Sequence, residues 1–136
     1  MAYEREVFVF GSNREGRHGK GAALEARARH GAIYGQAEGL QGNSYAIVTK
    51  ELRSKGQRNG AGIVTLNEVA AGVDIFLEFA EAHPNWRFNV TPIGCGLAGF
   101  KPYQIAPLFR GHTPNVVLPE EFFSGSGGPK RQSEDD

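Results

Sequence analysis

Cysteine is nearly missing from this 136-residue chain. The one present, Cys95, can form no internal disulfide, and no cysteine pair or set of spaced histidines has the arrangement of a zinc site. A reducing cytoplasm is the expected compartment, and neither a metal nor a cofactor is called for. Net charge is also lacking. Fifteen Lys and Arg balance fifteen Asp and Glu, which leaves no global field to attract DNA, RNA or an anionic membrane. No basic-aromatic stripe of the kind that stacks bases is present, so direct nucleic-acid binding is not expected. No uninterrupted span of about 18 apolar residues occurs, and Met1-Ala2-Tyr3-Glu4-Arg5-Glu6 has no apolar leader core, so no membrane insertion is predicted.

What the chain does have is 40% hydrophobic residues, enough for one core and too few residues around it for two ordinary domains. One domain is predicted over residues 1–123. The segment 124–136 carries no apolar anchor and reads as a disordered tail.

Glycine is abundant, and its placement organises the chain. Val7 to Phe10 is a continuous apolar run, the pattern of a strand buried on both faces of a parallel sheet. Gly21 to His30 reads as a helix with its alanines and Leu24 inward, its arginines outward and Gly31 as a left-handed cap. Gly42-Asn43-Ser44-Tyr45 is a turn entering the strand Tyr45 to Thr49, and Lys50 to Gly62 reads as a mobile surface loop. Thr65 and Glu68 form a capping box before a helix that aligns Leu66, Val69, Ala70, Val73, Phe76, Leu77 and Ala80 on one face. Trp86 to Ile93 is a strand, Tyr103 to Phe109 a short helix and Asn115 to Leu118 a last strand. The order βαβαβαβ predicts an α/β fold: a mainly parallel sheet between helices, with binding loops at the strand C-terminal ends.

Two glycine-rich turns lead from strand to helix in this scheme. One is Gly11-Ser12-Asn13 with His18-Gly19-Lys20-Gly21, and the other runs from Thr91 through Pro92, Ile93, Gly94, Cys95, Gly96, Leu97, Ala98 and Gly99 to Phe100. Glycine lets backbone N–H groups approach an anion closely, and a helix start adds its positive end, so the pair reads as a clamp for a diphosphate. It is not a P-loop, because Arg14 and Gly21 stand where that motif needs glycine and a hydroxyl residue. Gly94-x-Gly96-x-x-Gly99 matches the dinucleotide fingerprint but comes late, with a single strand and no acidic ribose ligand at the usual distance after it. Cys95 has no evident base to activate it and reads as a packing residue beneath the turn.

Taken together these residues resemble the macro domain family. Asn13 followed by His18-Gly19-Lys20-Gly21 and Ala22-Ala23 is similar to the family's first motif, and Ile93-Gly94-Cys95-Gly96-Leu97 is similar to its second, the loop around the diphosphate of ADP-ribose. Ala46-Ile47-Val48-Thr49-Lys50 resembles the strand-end Thr-Lys of the subfamily that removes ADP-ribose from glutamate by attack of the lysine on the sugar carbon. The resemblance covers roughly residues 5 to 118. It implies a three-layer α/β/α macro-like domain that binds ADP-ribose or a close derivative, and an ADP-ribosylated macromolecule as a further partner. The associated reaction would be hydrolysis of an ADP-ribosyl bond or of a terminal phosphate. It implies ligand contacts at Asn13, Gly19, Lys20, Gly21, Thr49, Gly94, Cys95, Gly96, Leu97, Ala98, Gly99 and Phe100. Lys50 becomes the candidate nucleophile and His18, in a loop read as exposed, the candidate acid or base. Two departures are visible: Ala98 stands where the hydrolase subfamily has its aspartate, and Ala23 where an acidic residue often opens the first helix. A non-catalytic binder of an ADP-ribose-type signal is the alternative.

Overall fold

The computed structural model describes residues 3–51, 64–96 and 98–123. The predicted mobile loop from residue 52 onward, Leu97 and the predicted tail 124–136 lie outside them. The described elements are β1 (Arg5–Asn13), α1 (Gly21–Arg29), β2 (Gly39–Gln41), β3 (Ser44–Lys50), α2 (Leu66–Glu81), β4 (Trp86–Val90), α3 (Pro102–Ile105) and β5 (Val116–Val117). Short 3-10 turns follow at Ala106–Phe109 and Glu120–Phe122. Five strands form one mixed sheet in the order β2-β3-β1-β4-β5. All neighbours run parallel except β2 against β3, so the fold is α/β with a mainly parallel sheet.

Side chains alternate across β1 and sort the core into two parts. Val7 and Val9 join Tyr45, Ile47, Phe88 and Val90 beneath α2 and α3, which contribute Val69, Val73, Phe76 and Ile105. Phe10 and Ala46 meet Ala23 and Ala26 of α1 in a smaller cluster. Phe76 anchors the larger side, edge-on to Tyr45 at 5.0 Å and to Phe88 at 5.5 Å. Leu24 is not inward: it is 45% exposed, because small Ala23 and Ala26 form the contact face and bring the helix close to the sheet. The capping box at Thr65 and Glu68 forms as read, with Thr65 accepting from the Glu68 N–H at 3.2 Å and Glu68 from the Thr65 N–H at 2.8 Å.

Element ends differ in instructive places. β1 extends to Asn13 because β3 keeps pairing with it there, beyond the last β4 pair at Val9. β4 stops at Val90, where Thr91 makes a last pair of bonds to the Val9 carbonyl and Pro92 offers no N–H to continue. The helix read over Tyr103 to Phe109 divides at Ala106 into an α turn and a 3-10 turn, with Pro107 inside the second. The edge strand β2 is an addition to the predicted order. Among the described residues no helix is long and apolar enough to cross a membrane.

Candidate functional site

The chain leaves β1 toward α1 on one side of the sheet and leaves β4 toward α3 on the other. Between two neighbouring parallel strands whose connections diverge, a crevice must open at the C-terminal ends. A cavity of about 800 Å³ lies there, bounded by residues 11–13, by Arg17 and residues 19–23, by Thr49 and Lys50, and by Thr91 to Gly96 with Ala98, Pro102 and Glu121.

The first wall is a folded turn. A register shift between Ser12 and Asn13, at the last pair of β1 with β3, brings Asn13 opposite Lys50. The Asn13 side-chain oxygen accepts the Arg17 N–H at 3.0 Å, and its backbone carbonyl accepts the Gly16 N–H at 2.9 Å. Arg14 is held by Glu51 at 3.1 Å and by Glu68 at 2.8 Å, tying this turn to β3 and to the start of α2. Glu68 is correspondingly held below the usual carboxylate range, by the Thr65 N–H first and then by Arg14.

His18 is where expectation and structure part. Its loop position read as exposed, yet the ring is fully buried and does not line the cavity. Its Nε2 lies 3.0 Å from the Gln36 carbonyl oxygen and 3.2 Å from Gln41 Oε1, and its ring stands edge-on to Phe10 at 5.2 Å. A carbonyl only accepts, so Nε2 carries the proton, and Nδ1 has no hydrogen-bond partner among the described residues. An acid or base must reach the group it serves, and this ring points into the support of the loop instead.

Behind His18 the chain enters α1. Its N-cap, Lys20, makes no side-chain cap bond, and the first turn contains no acidic residue. Gly21, Ala22 and Ala23 line the crevice, so the unpaired N–H groups and positive end of this helix open onto it. Gly19 and Gly21 have no atoms within 4 Å of where a Cβ would sit, which leaves the backbone accessible.

The floor is narrow. Thr49 is buried and donates from Oγ1 to the Ser12 carbonyl at 3.4 Å, and a Cβ on Gly11 would meet that hydroxyl at 2.9 Å. Lys50 is half-buried beside it and makes no ion pair among the described residues.

The opposite wall is the second glycine turn, folded by its own backbone: Cys95 N–H to the Pro92 carbonyl at 3.2 Å, Gly99 N–H to Gly96 at 3.0 Å and Phe100 N–H to Gly94 at 2.8 Å. Gly94 has φ 74°, and a Cβ there would lie 3.2 Å from the Phe100 ring. Gly96 is exposed to the cavity with open space around it. Cys95 is half-buried, and its thiol is pushed above the usual range by burial first and by the Glu121 carboxylate second, so it stays protonated and is a poor nucleophile. Gly99 and Phe100 do not line the crevice. Phe100 packs against the main core beneath Gly94, because the loop closes over its ring.

The structure therefore brings together Asn13, Gly19, Lys20, Gly21, Thr49, Lys50, Gly94, Cys95, Gly96 and Ala98. His18, Gly99 and Phe100 lie off the crevice, and Leu97 lies outside the described residues. It adds Arg17 and Glu121, which no motif singled out. Arg17 stands within the first glycine stretch and was within reach of a spacing argument, whereas Glu121 arrives from the far end of the chain and gives no local signal. Among the described residues no group of three or more His, Cys, Asp or Glu side chains could hold a metal ion. No protein-family model matches the chain, and no curated protein matches it.

Proposed function

We propose that this chain is a macro-type, three-layer α/β/α domain that binds ADP-ribose or a close derivative across the crevice. The observation that carries the reading is the convergence of two open glycine turns and one uncapped helix start on a single cavity at the point where the strand connections diverge. In this reading the Gly94 to Ala98 turn cradles the diphosphate, the N–H groups of Gly21 to Ala23 and the charges of Arg17 and Lys20 neutralise it, and Asn13 with Thr49 addresses the distal ribose. The free thiol of Cys95 suits a reducing compartment, and we place the protein in the cytoplasm.

Titration calorimetry tests the reading. ADP-ribose should bind, adenosine should bind at least about a hundredfold more weakly, and Gly96→Glu should lose ADP-ribose while keeping its circular dichroism. Wild-type affinity in that variant would put the site elsewhere.

If the protein is also a hydrolase of an ADP-ribosyl bond or a terminal phosphate, Lys50 carries the chemistry, since His18 has no path to the ligand. A lysine attacking a sugar carbon needs a base to take its proton. Ala98 and Ala23 supply none at the two positions where the resemblance places carboxylates. That observation favours the second reading, a non-catalytic binder of an ADP-ribosylated partner or free nucleotide. Single-turnover assays with protein in excess separate the two: complete conversion within minutes, lost in Lys50→Ala with binding intact, would reject the binder.

A further inference from the structure

The crevice is electrically lopsided. Its cations, Arg17, Lys20 and Lys50, come from the loop after β1 and from the end of β3, whereas the one carboxylate lining it among the described residues, Glu121, comes from the turn after β5. In the sheet, β3 and β5 are separated by β1 and β4. Three strand spacings put the end of β3 on the order of 14 Å from that of β5, and two put the end of β1, which leads to Arg17 and Lys20, about 10 Å from it. Glu121 lines the crevice with Pro102, and its charge reaches the Cys95 thiol at the near edge of the glycine turn. Neighbouring Phe122 is fully buried in the core and fixes the backbone that presents Glu121. Glu121 makes neither an ion pair nor a side-chain hydrogen bond among the described residues, and Lys101, beside Pro102, does not line the crevice.

A carboxylate so placed accepts hydrogen bonds and repels anions. A ligand lying along this crevice must be anionic where α1 begins and, at the other end, uncharged and equipped with N–H or O–H donors. We propose that Glu121 is a specificity-determining residue of the crevice, accepting a hydrogen bond from the nucleoside end of a nucleoside-diphosphate sugar and rejecting a phosphate at that end. The inference rests on the ADP-ribose reading above and adds to it a direction for the ligand and a class of nucleotide the site refuses.

The test compares two probes on the full chain by calorimetry: ADP-ribose, and ADP-ribose carrying an extra phosphate on the adenosine 2′-hydroxyl. Wild type should prefer the first by about tenfold or more, Glu121→Gln should bring the two within about threefold, and Glu121→Lys should reverse the order. Glu121 is exposed, so both variants should keep the wild-type melting temperature, which is measured alongside. The same preference in all three proteins would overturn the role of Glu121 while leaving the ADP-ribose reading standing. Failure of the wild type to bind either probe would overturn both.

Discussion

The two glycine turns that face each other across the crevice are supported in opposite ways. The first is held from behind by polar groups: the buried His18 ring on Gln36 and Gln41, the Asn13 oxygen on the Arg17 N–H, and Arg14 between Glu51 and Glu68. The second is held by its own backbone bonds and by shape, with Gly94 seated on Phe100 and Ile105. Hydrogen bonds have direction, so a polar scaffold fixes where the first loop points. Packing is nondirectional, so the second loop is fixed at Gly94, where Phe100 and Ile105 leave little room for a side chain. Loss of a side chain should therefore damage the first turn, and gain of one at Gly94 the second.

The largest expected effect is at His18. His18→Ala opens a cavity and removes the ring's hydrogen bonds to the Gln36 carbonyl and Gln41 Oε1, which together cost about 3 kcal/mol by chemical denaturation. ADP-ribose affinity should fall with it, because the loop loses its anchor, and His18→Gln should recover part of both. A cost under about 1 kcal/mol would show that the polar support is dispensable. Gly94→Ala comes next, at about 2 kcal/mol, from a methyl group crowding Phe100 at a backbone angle alanine disfavours. A neutral outcome there would break the contrast from the other side.

A finer cut lies within the first turn. Gly19 and Gly21 both face open space, but only Gly21 has a left-handed φ, of 58°. Gly21→Ala should cost about 1 kcal/mol and Gly19→Ala less than about 0.5, so equal costs would mean that the open space is not as accessible as drawn. The smallest effect concerns Cys95. Because its thiol is raised mainly by burial, alkylation at pH 8 should be several-fold slower than that of a free cysteine, and Glu121→Gln should speed it only slightly. The sign for stability follows: the folded state holds that proton longer than the unfolded chain, so Cys95 favours unfolding as pH rises above the ordinary thiol range.

What could be read in the sequence was what is local. The apolar runs of β1, β3 and β4, the Thr65-Glu68 capping box and the strand-to-helix glycine turns depend on neighbours within a few residues, and each stands where its pattern put it. Burial decided by distant partners was not legible. His18 sits among Arg17, Gly19 and Lys20, a polar and glycine-rich setting, and is covered by Gln36 from a loop and Gln41 from an edge strand that is itself too short to signal. Leu24 looked inward because it is the largest apolar residue of its helix, but the sheet selected the small face. Glu121 enters the crevice only because β5 returns beside β4, a fact of topology that no spacing near residue 121 contains.

The sheet order also sets a timetable. β1 lies at the centre, with one partner at residues 44–50 and the other at 86–90. During synthesis the first half of the chain can pair β1 with β3 and cover one face with α1, yet the other side of β1 stays an open edge of unpaired N–H and carbonyl groups until β4 has left the ribosome. Chains truncated just before Trp86 should consequently be sticky intermediates that lean on holdase chaperones, and those ending after Val90 far less so.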